Sequence, residues 1–107
     1  MSAVKTLDTT NFDSEVAGPQ PVMVDFYTDW CAPCQILGPQ VERIAQTYAD
    51  RASVAKLNVD ASGQVAARFG VQGIPTVLFF KDGKLVDRVV GLVPEEELTS
   101  RLDSLID

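Results

Sequence analysis

The segment Val22–Tyr27 constrains the fold of this chain more than any other, because Asp25 is its only residue that is neither apolar nor aromatic. A strand that is apolar on both faces belongs in the middle of a sheet that is covered on both sides. The segment therefore predicts a central strand with helices on either side of the sheet, and it predicts that Asp25 is buried there.

The remaining segments alternate between the patterns of strands and helices. Strands are predicted at residues 4–7, 53–58, 76–80 and 85–90, the last two joined by an Asp82-Gly83 hairpin. Helices are predicted from a Thr9 or Thr10 cap to Val16 and at residues 32–48, 62–69 and 94–106, with a kink at Pro39. The order predicts an α/β fold in one domain spanning residues 1–107. It is a three-layer α/β/α sandwich with a central mixed five-stranded sheet and four helices.

Charge and composition argue against several classes of function. The chain has nine Lys and Arg residues against fifteen Asp and Glu residues, and its net charge of −6 is unsuited to nucleic acid. It has no histidine, which excludes Cys/His metal sites and His-dependent nucleophiles. Its longest apolar run, residues 77–80, is far shorter than the roughly 20 residues of a membrane span, and no secretory signal is recognisable. We expect a cytoplasmic monomer that binds neither nucleic acid nor membranes.

The only two cysteines, Cys31 and Cys34, lie between the central strand and the longest predicted helix. Unpaired N–H groups and the helix dipole stabilise an anion at a helix N-terminus, so a thiolate is favoured there. A thiol whose pKa falls from about 8.5 to about 7 raises its thiolate fraction at neutral pH from about 3% to about 50%. Trp30 and Pro33 restrict the loop that joins the two thiols. The pattern predicts a redox-active dithiol.

Three other interpretations of the cysteine pair remain open at this point. Two thiolates fill only half of a tetrahedral zinc site, so a metal would have to be shared in a dimer. A structural disulfide would close so small a ring that it would remove little entropy from the unfolded chain. The cysteines could also be unreactive members of the core.

Several motifs give the chain a close resemblance to the thioredoxin family over essentially its whole length. They are Val24-Asp25-Phe26, Trp30-Cys31-Ala32-Pro33-Cys34, Pro39, Lys56-Leu57-Asn58-Val59-Asp60, Gly73-Ile74-Pro75-Thr76 and Lys81-Asp82-Gly83, in the order of the family. Three departures stand beside them. Ala32 replaces the usual glycine, Tyr27-Thr28 replaces a frequent Trp-Ala pair, and Gln35 replaces a frequent lysine.

The resemblance implies a role for each matching residue. Cys31 would be the exposed attacking thiol and Cys34 the buried resolving thiol, and no cofactor would be bound besides the redox-active Cys31–Cys34 disulfide. Asp25 would exchange protons with Cys34, with Lys56 as its cationic partner; the alternative is a carboxylate held by the backbone or by Lys56. The substrate surface would comprise Trp30, Ala32, Pro33, Gly73, Ile74, Pro75 and Gly91. Pro75 would be a cis-proline facing the dithiol, although it could equally be a proline that merely starts a strand.

The resemblance also implies the activity and the partners. The leading hypothesis is a reductase of disulfides in target proteins that is itself recharged by thioredoxin reductase, an NADPH-dependent flavoprotein. A disulfide oxidase or isomerase is the second hypothesis, but such relatives often carry a histidine where this chain has Pro33. The third is a binding module in which the cysteines do not turn over.

Overall fold

The computed structural model describes residues 2–106 and contains the predicted elements in the predicted order. The strands are β1 (Lys5–Leu7), β2 (Val22–Tyr27), β3 (Ser53–Asn58), β4 (Thr76–Lys81) and β5 (Lys84–Val90). The helices are α1 (Phe12–Val16), α2 (Ala32–Thr47), α3 (Gly63–Arg68) and α4 (Glu95–Asp103). The predicted α/β sandwich with a mixed sheet is confirmed.

The sheet has the strand order β1-β3-β2-β4-β5, so β2 occupies its centre, as its two apolar faces predict. β3 pairs in parallel with both β1 and β2, whereas β4 pairs antiparallel with both β2 and β5. In this register Asp25 lies opposite Lys56 on one side and Val77 on the other. Residues directly opposite each other share a face of the sheet, so Asp25 and Lys56 point the same way.

Each face of the sheet carries its own hydrophobic core. Helices α1 and α3 pack on one face, where the core contains Phe12, Val16, Val22, Val24, Phe26, Leu57, Val65, Leu78 and Phe80. Helices α2 and α4 pack on the other, where it contains Met23, Leu37, Val41, Ile44, Val54, Val77, Phe79, Leu98 and Leu102. Asp25 lies two residues after Met23 in β2, so it points to the same face of the sheet. That face is covered by α2, whose first turn contains Cys34 and whose cap is Cys31.

The structure corrects two predicted helix ends. Helix α1 begins at Phe12 with Asn11 at its cap position, not Thr9 or Thr10, because the Asn11 side chain accepts a hydrogen bond from the Asp8 backbone N–H (2.7 Å) and orders the turn before it. Helix α4 ends at Asp103, so Leu105 and Ile106 lie beyond it, although both still pack against the core. Pro39 lies inside α2, which continues to Thr47; the kink there stays a prediction.

The β4–β5 hairpin supplies a test of the predicted turn. Asp82 and Gly83 both have positive φ, 54° and 78°, the backbone of a two-residue type I′ loop. We expect Gly83→Ala to lower the free energy of unfolding by about 1 kcal/mol, because L-residues with a side chain are strained in this region. Urea denaturation measures the change. Gly63→Ala is the matched control, since an added Cβ in α3 meets no atom within 4 Å; it should be neutral or stabilising. Equal effects of the two substitutions would contradict the prediction.

Candidate active site

The two cysteines lie at the N-terminus of α2, where the sequence predicted them. Cys31 occupies the N-cap with an extended backbone, and its sulfur accepts a hydrogen bond from the Cys34 backbone N–H at 3.3 Å. Pro33 lies within the first turn, where no intrahelical hydrogen bond is lost. Both cysteines are free thiols. The first turn of α2 therefore directs an N–H group at the Cys31 sulfur, an arrangement that favours negative charge on it.

The predicted contrast in exposure between the two thiols is wrong. Cys31 is 6% exposed and Cys34 is 4% exposed, so both side chains are buried in this form. The Cys31 thiol lies against the chain segment before β4, where it donates to the Ile74 carbonyl oxygen at 3.9 Å. This contact joins residues 43 positions apart, so the cysteine motif by itself could not show it.

A cleft of about 230 Å³ opens beneath the first turn of α2. Its lining comprises Asp25, Tyr27, Thr28, Asp29, Cys34, Gln35, Gly38 and Lys56. Asp25 is 4% exposed, and its Oδ1 has no hydrogen-bond partner within residues 2–106. Lys56 is half-buried and makes no ion pair with Asp25 in this part of the chain; its Nζ lies 5.8 Å from the centre of the Tyr27 ring. The cleft thus brings together Asp25, Cys34 and Lys56.

Burial dominates the electrostatics of the cleft. Loss of solvation raises the pKa of Asp25 from 3.8 to about 7, and the positive charge of Lys56 opposes this change. Burial also raises the pKa of Cys34 to about 12, helped by its hydrogen bond with Cys31 and opposed by the backbone N–H of Thr28. A thiol with such a pKa stays protonated at neutral pH, whereas the pKa of the Asp25 carboxyl is close to neutral. The pair can therefore act as an acid and a base near neutral pH.

The residues predicted to form the substrate surface lie in three segments of the chain, and one of them, Ile74, contacts the Cys31 thiol. Trp30 is 72% exposed, and Ala32 and Pro33 are exposed in the first turn of α2. The Ile74–Pro75 peptide is cis, as the resemblance implies. Gly91 donates its backbone N–H to the Pro75 carbonyl oxygen at 2.8 Å. Gly73 lies beside β5, where an added Cβ would be 3.7 Å from the Val90 side chain. Pro75 itself is buried, unlike the tryptophan.

The structure adds neighbours that the sequence did not single out. The Trp30 indole N–H donates to the Asp60 carboxylate at 2.8 Å, which fixes the direction of the exposed ring. Asp60 belongs to a motif that was recognised, but nothing in the sequence pairs it with a residue 30 positions earlier. Other exposed apolar side chains include Ile36 (58%), Val90 (61%) and Leu92 (43%). Val90 and Leu92 flank Gly91 in the chain, and the Val90 side chain lies beside Gly73.

Two kinds of feature are absent from the part of the chain that the structure describes. Between residues 2 and 106 the structure contains no group of three or more His, Cys, Asp or Glu side chains able to hold a metal ion. Over the same residues, no helix combines the length and the apolar character that crossing a bilayer requires.

Comparison with known proteins points to one family. The family model for thioredoxin matches residues 3–104. The chain is 43% identical to thioredoxin 1 of Synechococcus elongatus over 104 residues, covering 96% of this chain and 97% of that protein. It is 39% identical to the thioredoxin of Alicyclobacillus acidocaldarius, covering 97% and 99%. The solved structure of a mutant thioredoxin from Halobacterium salinarum superimposes with a TM-score of 0.88 at 38% identity, covering 100% of this chain and 96% of that one.

Proposed function

Because the chain belongs to the thioredoxin family and is a thiol-disulfide oxidoreductase, we propose that Cys31 and Cys34 reduce disulfides in target proteins by dithiol exchange. The observation that carries the proposal is the Cys31 sulfur at the N-cap of α2, 3.3 Å from the Cys34 backbone nitrogen. The position supports a thiolate on Cys31 and holds a second thiol one turn away. The thiol-disulfide oxidoreductase activity of the family also favours redox chemistry at these two cysteines over the hypothesis that the chain is only a binding module.

The first step is attack by Cys31. Its thiolate forms a bond to one sulfur of the target disulfide, and the target S–S bond breaks, with the electron pair leaving on the other target sulfur. The chain and its target are then joined by a mixed disulfide. The backbone N–H of Cys34 favours the Cys31 thiolate before the attack. Once the mixed disulfide has formed, the Cys31 sulfur carries no negative charge, so its hydrogen bond from this N–H is weaker.

The second step is attack by Cys34 on the Cys31 sulfur. The Cys34 proton passes to the Asp25 carboxylate, the new S–S bond forms within the chain, and the target sulfur leaves with the electron pair. The target is thereby reduced by two electrons and the dithiol oxidised. The step is intramolecular, so Cys34 competes effectively with any thiol in solution. The pKa of about 7 for Asp25 supports its role as the base, and the charge of Lys56 favours its ionised form.

The surface around Cys31 fits an extended segment of a target protein. We assign its lining to Trp30, Ala32, Pro33, Gly73, Ile74, Pro75 and Gly91. Gly73 and Gly91 have no side chain that would hold a partner backbone away. The backbone of Ile74 lies next to the Cys31 thiol, which supports our proposal that it pairs with the residues on either side of a target cysteine.

The oxidised chain needs a separate source of electrons. We propose a thioredoxin reductase, an NADPH-dependent flavoprotein, as this partner, and the Cys31–Cys34 pair as the only redox group. We also propose that residues 1–107 form one domain that works as a cytoplasmic monomer without nucleic acid or membrane partners. The single sheet, the match over residues 3–104 and the net charge of −6 support this proposal. A dithiol that must return to its reduced form suits a reducing compartment.

The insulin-reduction assay tests the proposed activity. We expect catalytic amounts of the chain to accelerate the reduction of insulin by dithiothreitol, seen as earlier turbidity, because Cys31 exchanges faster than a free thiol. A sample whose two thiols have been alkylated is the control, and it should give no acceleration. If the untreated chain gives none either, the binding-module hypothesis replaces the reductase. A reduction potential above about −180 mV would instead indicate an oxidase or isomerase.

A further inference from the structure

The Lys56 ammonium does not make the ion pair that its place in the sheet would allow. Lys56 lies directly opposite Asp25 in the register of β2 and β3, and Tyr27, two residues after Asp25, points to the same face of the sheet. Within residues 2–106 Lys56 forms no ion pair. Its Nζ lies instead over the Tyr27 ring, 5.8 Å from the ring centre.

Two buried acceptors that line the same cleft are left unpaired. Oδ1 of Asp25 and Oγ1 of Thr28 have no hydrogen-bond partner in the described part of the chain, and both side chains line the cleft together with Lys56. A lysine has three N–H donors on a flexible four-carbon stem, so it is able to turn toward a carboxylate directly opposite it. The position of its ammonium over the ring therefore needs a cause.

The Tyr27 ring supplies that cause. The face of a tyrosine ring attracts a cation that lies within about 6 Å of its centre. This attraction is similar in strength to an ion pair that is open to water, and both Lys56 and Tyr27 are only half-buried. The ring can therefore compete with the Asp25 carboxylate for the ammonium.

The position of the ammonium controls the Asp25 carboxyl, because no other cation lines the cleft among the described residues. The ionisable groups that line it besides Asp25 are Tyr27 from β2, Lys56 from β3, Cys34 from α2 and Asp29 from the connecting loop. On the β4 side Asp25 lies opposite Val77, which is apolar. An opposite charge within about 4–6 Å lowers the pKa of a carboxyl by about one unit or more. Lys56 already opposes the effect of burial on the pKa of Asp25, and a closer ammonium would oppose it more strongly.

We propose that Tyr27 is a positioning residue for the resolving step: its ring holds the Lys56 ammonium away from the Asp25 carboxylate, which stays basic enough to take up the Cys34 proton near neutral pH. The inference rests on the roles proposed above for Asp25 and Cys34. An ammonium paired directly with Asp25 would stabilise the carboxylate and make it a weaker base. Tyr27 itself exchanges no proton in this step.

Titration of the Asp25 carboxyl in the reduced chain, followed by ¹³C NMR, tests the position of the ammonium. Tyr27→Leu removes the ring and keeps an apolar side chain, so we expect it to lower the midpoint by about one unit from its value of about 7. Tyr27→Phe keeps the ring and should keep the midpoint. Tyr27→Met removes the ring in a longer side chain and gives the same test if leucine does not fit.

The same pair of chains with Lys56→Met added is the decisive control. A leucine at this position could also lower the midpoint by admitting water to Asp25, without any movement of Lys56. In chains that carry Lys56→Met we expect Tyr27→Leu to leave the midpoint unchanged, because there is no ammonium to release. A shift of equal size with and without Lys56 would overturn the proposal. Equal shifts with leucine and phenylalanine, or no shift with leucine, would overturn it too.

The consequence for the resolving step is measured in the reaction of the reduced chain with one equivalent of 5,5′-dithiobis(2-nitrobenzoate). Attack by Cys31 releases the first thionitrobenzoate, and attack by Cys34 on the mixed disulfide releases the second. We expect Tyr27→Leu to move the pH profile of the second release downward by about one unit. A carboxyl titration that moves while the second release does not follow would remove Tyr27 from the resolving step. If the unmodified chain releases only one thionitrobenzoate, the proposed role of Cys34 fails instead.

Discussion

Replacing Cys34 with serine is expected to stop the exchange halfway and leave the chain covalently joined to its target through Cys31. The first attack needs only the Cys31 thiolate, whereas the release of the target needs a second thiol, and a serine hydroxyl does not attack a disulfide. Loss of the intramolecular thiol should slow the release by at least about 1,000-fold. Non-reducing electrophoresis and mass determination detect the complex with insulin, and added dithiothreitol should reduce the mixed disulfide and separate the two proteins.

Cys31→Ser is the matched control, and it decides which thiol attacks. We expect this variant to form no complex and to give no turnover. The control matters because burial does not distinguish the two thiols, which are 6% and 4% exposed. The argument for Cys31 rests instead on its N-cap position and on the pKa of about 12 that keeps Cys34 protonated. A complex trapped by Cys31→Ser and absent with Cys34→Ser would reverse the assignment.

The features that the sequence predicted correctly are those fixed by local chemistry. The two apolar faces of Val22–Tyr27 determine its central place in the sheet. The junction of this strand with a long amphipathic segment puts Cys31 at a helix cap. Asp82-Gly83 determines a two-residue hairpin loop, because few other residue pairs accept two positive φ angles. Each of these predictions depends on residues that are close together in the chain.

The features that the sequence could not supply depend on register and on long-range contacts. The residue patterns alone do not bring Asp25 and Lys56 together; only the family resemblance implied that they are partners. They share the cleft because β2 and β3 pair in one particular register, and a shift by one residue would turn either side chain to the other face. The burial of Cys31 comes from Ile74, and the position of the Trp30 ring comes from Asp60. That Thr28 has an unpaired hydroxyl can be seen only when all its neighbours are known.

Replacing Asp25 with asparagine is expected to stabilise the chain, and the gain should depend on pH. The pKa of Asp25 is about 7 in the folded chain and 3.8 as its ordinary value, so the folded form binds the proton more tightly. The protonated Asp25 carboxyl therefore stabilises the folded chain. This contribution to the free energy of unfolding is fully present below about pH 4 and is lost as the pH rises through about 7. The difference between the two pKa values corresponds to a loss of about 4 kcal/mol in the free energy of unfolding. Asparagine stays neutral and avoids this loss, so the variant should be more stable at pH 8 and little changed at pH 4.

The same substitution should impair the resolving step, because an amide cannot accept the Cys34 proton. We expect the second release of thionitrobenzoate to be slowed roughly 100-fold at pH 8, with the first release unchanged. In the unmodified chain its rate should rise as the pH passes through about 7, and in the variant that rise should be absent. Urea unfolding at the two pH values and the release kinetics measure both effects.

Asp29→Asn, which removes a charge from an exposed position in the same cleft, is the control and should change neither the stability nor the release kinetics. If Asp25→Asn is no more stable than the unmodified chain at pH 8, the Asp25 carboxylate is better solvated than its burial implies. Unchanged release kinetics would remove Asp25 from the mechanism and leave the Cys34 proton to be taken up by solvent.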